Sequence, residues 1–315
     1  MVITQQPANG KLYFEKSIPD IILTKDSESV ITFTLQADGE DILQEEYEYD
    51  PDGLITIRDL ASICGVYLTP TVSTISNTLA AVDGLTKTFT VVLYDGTNTE
   101  TFSFSVLKCG AEIPQNVDCD AWIASHFMSR LPNEKRTGAN RNEFLSFLQK
   151  TSYGAVELHV EAFHMVEGEV TGVALVLETI AAADRVITAN VSPGRITEAL
   201  ELELTDLLYY DIWFSYGDVT GNRFCFLPDL TPYRNRTHFV FENCFGVSET
   251  FTATGKLPSK KTAEISLGNI SSRYRKTTQD FIIEHTPNSG FLSNDEIDWL
   301  DDLLMSYVVT QYNPG

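Results

Sequence analysis

The sequence predicts a mainly β protein: two antiparallel β-sandwich-like domains, with a few short helices and an amphipathic helix near the C-terminus. Three observations carry this. Period-two alternation recurs in short runs, Asp-Gly and Pro-Asp-Gly breaks separate those runs, and one late segment, "SNDEIDWLDDLLMS", switches to helical spacing behind a capping signal. A chain of 315 residues that is 43% hydrophobic is long enough for two cores of ordinary size.

In residues 1–110, "SVITFTLQADGE" sets Ile31, Phe33 and Leu35 against Val30, Thr32 and Thr34 and stops at Asp38-Gly39. "ILQEEYEYDPDGLITI" turns at Asp50 to Gly53, and "TKTFTVVLYDGTNTETFSFSVL" turns near Asp95-Gly96. Asp-Gly supplies the positive φ that tight hairpins need. "RDLASIC" is expected to be a short helix, with Leu60, Ile63 and Cys64 on one face.

Residues 111–154 read as a linker: "GAEIPQNVDCDAW" and "LPNEKRTGANRN" are loop-like, and "NEFLSFLQKTSYG" suggests a short amphipathic helix with Phe144, Phe147 and Leu148 inward. Residues 155–315 form the second antiparallel domain, with strands expected in "AVELHVEAFHM", "EVTGVALVLETI", "DRVITANVS", "LLYYDIWFSYGD", "AEISLGNIS" and "QDFIIEHT". "SPGRITEALELELTDLL" fits two patterns: Leu200, Leu202 and Leu204 alternate, while Ile196, Ala199, Leu200 and Leu207 line a helix. The strand reading is taken. In the closing helix, Ser293 and Glu296 make a capping box ahead of Ile297, Leu300, Leu304 and Tyr307, which fall on one face at helical spacing, and early acids suit the positive end of the helix dipole.

The net charge of −22 opposes binding along a nucleic-acid backbone, where affinity comes from Lys and Arg displacing counterions. One local exception is "GKLPSKKTAEISLGNISSRYRK", with Lys256, Lys260, Lys261, Arg273, Arg275 and Lys276 against Glu264 alone. A solvated charge run is the simpler reading; docking on a neighbouring copy's acidic face is the alternative. No apolar run has the length of a membrane span, and "MVITQQPANGKLYFEK" has no signal-peptide pattern, so a cytoplasmic site of synthesis is expected. Cys64, Cys109, Cys119, Cys225 and Cys244 are scattered without a C-x-x-C, and are read as free thiols, mostly buried.

"HFVFENCFGVSETFTATGK", residues 238–256, holds the reactive-looking letters. Strand spacing separates His238 from Cys244, Ser248 lacks the G-x-S-x-G elbow, and Leu257 stands where a P-loop needs a hydroxyl. The stretch is read as a β-hairpin in which Asn243, Gly246 and Glu249 hold a corner or a subunit contact. Glu157, His159 and Glu161 put three metal-ligand types on one strand face, but the same alternation describes the solvent side of a half-buried strand, so no metal, cofactor or catalytic residue is assigned. Glu157, His159 and Asp211 also keep a hydrolase assembled from distant strands in view. The aromatics of "LLYYDIWFSYGDVTGNRF" keep a sugar-contacting surface in view.

Two motifs resemble those of tail and baseplate structural proteins of Bacteroidetes phages or prophages. One is an F-x-N-x-F-G-x-x-E-T hairpin, matched at Phe241, Asn243, Phe245, Gly246, Glu249 and Thr250. The other is a G-x-L-S-x-x-E-x-x-W-L-x-D-L-x-x-S element, matched at Gly290, Leu292, Ser293, Glu296, Trp299, Leu300, Asp302, Leu303 and Ser306. The N-terminal "ILQEEYEYDPDGLITIRDLASI" has a similar flavour. The resemblance implies a non-enzymatic virion protein, assembled in the bacterial host cytoplasm as a homo-oligomer, with other virion proteins as partners, and it leaves room for a receptor-facing domain that meets a host-surface glycan. Asn243, Phe245, Gly246, Glu249 and Trp299 are its structural or interface candidates. Proteins of this look continue past the helix into an extended segment, whereas this sequence stops at "TQYNPG", so a terminal strand is expected to be absent or donated by a neighbour. The alternative function is a carbohydrate-binding module or adhesin of a gut bacterium.

Overall fold

The computed structural model describes residues 1–312 except 26–29, 71–77, 114–116, 132–133, 139–140, 271–272 and 291. The chain begins with β1 (Val2–Gln5), β2 (Leu12–Phe14), β3 (Ile21–Thr24), β4 (Ile31–Ala37), β5 (Glu40–Tyr47) and β6 (Leu54–Ile57). Helix α1 (Leu60–Val66), β7 (Leu79–Val82), β8 (Thr86–Tyr94) and β9 (Thr99–Leu107) follow. Asp38 and Gly39 both take positive φ between β4 and β5, as a tight hairpin requires. One sheet runs β1-β3-β6 and a second runs β2-β9-β8-β4-β5. Their alternating apolar residues, among them Ile21, Leu23, Phe33, Leu35, Phe89 and Phe104, meet in one core that α1 closes with Leu60 and Cys64. Each such side chain is worth roughly 1.5–3 kcal/mol on burial.

The second part holds α2 (Cys119–Ile123), β10 (Glu134–Gly138), β11 (Phe144–Gln149), β12 (Val156–Val166), β13 (Glu169–Ile180) and β14 (Arg185–Asn190). It continues through α3 (Pro193–Leu200), β15 (Leu207–Tyr216), β16 (Val219–Thr220) and β17 (Phe224–Asp229). The sheet β10-β17-β15-β12-β13 packs on the sheet β11-β14-β7 around Phe147, Leu158, Tyr210, Ile212, Phe214 and Phe226. Strand β7 comes from the N-terminal part and pairs with β14, so the two parts share a sheet as well as a junction. Not every pairing is antiparallel: β2 lies parallel to β9, and β10 parallel to β17.

Two local expectations are corrected. The helix expected around Phe144 is strand β11, paired with β14 throughout. It is buried along its whole length: Leu145 and Phe147 enter one core, Leu148 enters the other, and Ser146 bonds Thr188 at 2.7 Å. A strand apolar on both faces mimics helical spacing over six residues. The segment 111–154 is therefore not a linker with a helix at this point, because it supplies β10 and β11 to the sheets. The strand taken at "SPGRITEAL" is helix α3, with Pro193 in its first turn, Ile196 buried and Glu201 ending it at φ 55°. Proline after serine is a helix start that the leucine alternation hid.

The last part comprises β18 (Thr237–Glu242), β19 (Ser248–Ala253), β20 (Ser259–Ile270), β21 (Arg273–His285), α4 (Asn294–Met305) and β22 (Val309–Tyr312). Both halves of the Ser293–Glu296 capping box form. The strand expected to be absent or donated is present in the chain itself: β22 pairs with β18 from His238 to Phe241, giving the sheet β19-β18-β22. No helix among the described residues is long and apolar enough to cross a membrane.

Candidate functional site

The hairpin β18–β19 was expected to carry the distinctive corner, and its tip is driven into the junction between the two parts. Asn243 organises the turn. Its Oδ1 accepts from the backbone N–H groups of Phe245 at 2.9 Å and Val247 at 3.3 Å, and its own backbone N–H donates to the Val247 carbonyl at 2.9 Å. With the oxygen thus committed, Nδ2 points the other way and donates to the Met128 carbonyl at 2.8 Å and to Glu249 Oε1 at 3.0 Å. Gly246 sits at φ 76°, and a Cβ there would lie 2.7 Å from Leu85 Cδ2 and 2.9 Å from Lys108 Cδ. Left-handed backbone and lack of room both demand glycine.

Phe245 is the plug. It stacks on Trp122 at 5.4 Å and tilts against Phe14 at 6.3 Å, in a core shared with Leu12, Leu85, Leu107 and Met128. The neighbouring backbone adds a bond from the Gly110 N–H to the Cys244 carbonyl at 2.7 Å. The hairpin tip thus joins the N-terminal sheet to the rest of the molecule.

Helix α4 closes the corner from the other side. Trp299 is buried against Phe241 and Phe251, and its Nε1–H donates to Glu249 Oε2. Glu249 is buried, so both oxygens accept within the protein. Burial raises its pKa, while the Ser129 hydroxyl, the Trp299 indole, the Lys135 charge and the Asn243 amide pull the other way. Next to it Lys135 Nζ donates to Glu143 Oε2 at 2.6 Å, to the Thr250 carbonyl at 2.6 Å and to Thr250 Oγ1 at 2.9 Å, and lies 5.4 Å from the Trp299 ring centroid. Asp302 accepts from Arg130 at 2.9 Å and, more weakly, from the Cys244 N–H at 3.4 Å. Ser306 Oγ accepts from the Glu242 N–H at 3.1 Å.

The structure therefore brings Asn243, Glu249 and Trp299 into one bonded cluster, with Phe245 and Gly246 on its far side in the apolar junction. Thr250, Asp302 and Ser306, carried by the same two motifs, belong to the same corner. Lys135, Glu143 and Arg130 do too, and sequence reading missed them because they lie in the segment taken as a linker. Glu143 is a charge directly ahead of the apolar "FLSFL", while Lys135 sits in the polar run "PNEKR", and nothing in either stretch shows that the two pair. Beside Trp299, a cavity of about 250 Å³ is lined by Lys135, Arg136, Arg236, Tyr233 and Glu296 among others.

This arrangement holds parts of the fold together. The corner's carboxylates accept from Asn243, Trp299, Lys135, Thr250 and Arg130, as given above. The Cys244 thiol shares a hydrogen bond with the Cys109 thiol, with no imidazole beside it among the described residues; that hydrogen bond and burial push its pKa far up. His238 bonds Thr252 Oγ1 at 2.8 Å, and burial, aided by Arg141 and Arg236, lowers its pKa to about 3. Ser248 pairs across the hairpin with Glu242. All five cysteines are free.

Glu157, His159 and Glu161 do share the outer face of β12. His159 bonds Ser215 at 2.7 Å, Glu157 lies 3.6 Å from His159, and Glu161 turns to Arg223 at 2.5 Å, which also reaches Asp211 at 3.5 Å. Among the described residues no group of three or more His, Cys, Asp or Glu is placed to hold a metal. Of the aromatic run, Tyr210 and Phe214 point into the core, while Tyr209 and Trp213 are half-buried on the outer face. Tyr209 stacks on Phe163 at 4.4 Å, Trp213 stacks on His159 at 5.2 Å, and Arg223 lies 4.1 Å from the Trp213 ring centroid.

No protein-family model matches the chain, and no curated protein matches it. Solved structures similar to it include a titin A168–A169 fragment, at 7% identity over 73% of this chain and 97% of that one, with a TM-score of 0.25. A chimeric titin Z1Z2 matches at 13% identity over 73% and 97%, with a TM-score of 0.18, and the neural ectodermal development factor IMP-L2 at 10% over 73% and 95%, with a TM-score of 0.15. At such scores these likenesses carry no argument about this chain.

Proposed function

We propose that this chain is a non-enzymatic structural protein of a phage tail or baseplate, assembled in the bacterial host cytoplasm and carried in the virion as a homo-oligomer in contact with other virion proteins. One observation carries the reading. The two motifs that resemble phage tail and baseplate proteins lie some forty residues apart at their nearest ends in sequence, yet their polar residues Asn243, Glu249, Trp299 and Asp302 meet in one buried corner. A corner of this kind fixes the angle between β-sheets, which suits a part that must present the same contact surfaces in every copy. Its polar groups are spent on internal bonds, which supports a scaffold over a hydrolase. Negative-stain electron microscopy of the purified chain is expected to show a closed symmetric oligomer. Particles of single-chain size in every preparation would overturn the reading, as would turnover in a broad hydrolase screen.

The second reading, a carbohydrate-binding module or adhesin, draws on the half-buried outer row of Phe163, Tyr209 and Trp213. Such rings suit a sugar face, but Arg223 lies over Trp213 and Tyr209 is stacked on Phe163. Selective signal on a glycan array, lost in Trp213→Ala, would favour it.

A further inference from the structure

We infer that the β20–β21 hairpin is an arm that docks along edge strand β5 of a second copy of this chain. The inference rests on the assembly reading above and names the contact that would build the oligomer.

The arm's strands are twelve and thirteen residues long, and in their backbone pairing they bond only with each other among the described residues. At roughly 3.3 Å per residue the hairpin is about 40 Å long. A lone two-stranded ribbon is marginal in water and has two open edges of backbone N–H and C=O groups. Its charge is also out of keeping with the molecule. The whole chain carries −22, yet residues 265–279, the outer half of the arm, hold Arg273, Arg275 and Lys276 and no acid.

Strand β5 has the complementary properties. It ends the sheet β2-β9-β8-β4-β5, so one side of its backbone has no strand partner among the described residues. Glu40, Asp41, Glu45 and Glu46 on it are exposed, and the run to residue 52 adds three acids and no Lys or Arg. Acids on an edge strand keep other strands away, and the chain as a whole is acidic; a basic strand is the kind that this edge admits. Helix α4 also exposes acids, Asp295, Asp298 and Asp301, but they are interleaved with exposed Ile297, Leu304 and Met305, and a helix side offers no backbone groups to a ribbon, whereas β5 offers a full edge. Arm and β5 are different surfaces, so two copies pair by exchanging arms about a two-fold axis, or the contact repeats head-to-tail into a ring or filament.

The test uses the full chain. Arg273→Glu/Arg275→Glu/Lys276→Glu reverses the arm, and Glu40→Lys/Glu46→Lys reverses the edge. By mass photometry over a concentration series, each variant alone is expected to weaken self-association by about tenfold or more, with the wild type weakening as salt rises. An equimolar mixture of the two variants should recover association, because an acidic arm then meets a basic edge. An unchanged thermal midpoint shows that each variant folds. Independently, an amine-to-carboxylate cross-linker applied to mixed heavy and light wild-type chains should join Lys276 to β5 between chains. Association that ignores both reversals, or a mixture as weak as its components, overturns the arm contact and leaves the assembly reading standing. A wild type that stays monomeric throughout overturns both.

Discussion

Replacing Glu249 with glutamine changes one atom and should cost far more than its size suggests. With the Ser129 hydroxyl also donating to it, the carboxylate accepts from Asn243 Nδ2 on one oxygen and from the Trp299 indole on the other. Glutamine must turn an NH₂ toward one of those two donors. Asn243 cannot flip to meet it, because its Oδ1 already accepts from Phe245 and Val247 and its Nδ2 from there serves Met128. Trp299 has a donor and no acceptor to offer. One bond to a charged acceptor is lost, the other becomes a neutral bond, and the removal of a buried charge offsets part of this, leaving about 2–4 kcal/mol of destabilisation. For a chain of this size that lowers the thermal midpoint by about 3–6 °C. Thermal unfolding followed by tryptophan fluorescence and circular dichroism measures it, with the exposed Glu157→Gln as a control expected to leave the midpoint in place. A Glu249→Gln midpoint within about 1 °C of wild type would refute the claim that this corner is a stabilising, fully bonded unit.

Gly246→Ala forces a Cβ into Leu85 and Lys108 at positive φ, and a loss of about 1–3 kcal/mol is expected in urea unfolding. Phe245→Ala removes the plug from the apolar junction and should cost about 3–5 kcal/mol, with limited proteolysis then cutting between the two parts before either unfolds. His238 has a folded pKa near 3 against about 6.5 unfolded, so the unfolded chain binds the proton more readily; stability is intact above pH 6.5 and falls as pH drops, by about 2 kcal/mol between pH 7 and pH 5 from this group, and His238→Gln should flatten that slope in a pH series of melts. Burial pushes the Cys64 and Cys225 thiols up to about 12, so a thiol reagent at mildly alkaline pH is expected to label the native chain slowly and the unfolded chain at all five cysteines.

The sequence was legible wherever one face of an element is buried and the other is wet. β4 and β8 show clean periods and explicit turn residues and stand where their patterns put them, and α4 starts at its capping box. The face of α4 read from Ile297, Leu300, Leu304 and Tyr307 is corrected, because Ile297, Leu304 and Tyr307 are exposed and the helix instead buries Trp299 and Asp302, with Leu300 and Leu303 partly covered. The sequence was misleading where that contrast fails. β11 lies between two cores, so its residues carry no alternation, and "FLSFL" fits a helix as well as a strand. In α3 the leucines that follow the helix extend a false alternation past a proline that marks its start. At the corner, Asn243, Gly246 and Glu249 stood out because polar residues interrupt an apolar hairpin. Lys135 and Glu143 did not, since a buried ion pair eight residues apart and completed by Thr250 more than a hundred residues away has no local signature.

The claim that this chain works by assembling with its own copies is tested most directly by sedimentation velocity of the purified full chain over a wide range of concentration and salt. A discrete multimer that dissociates as salt rises is expected. A single species of 35.1 kDa under every condition would contradict it.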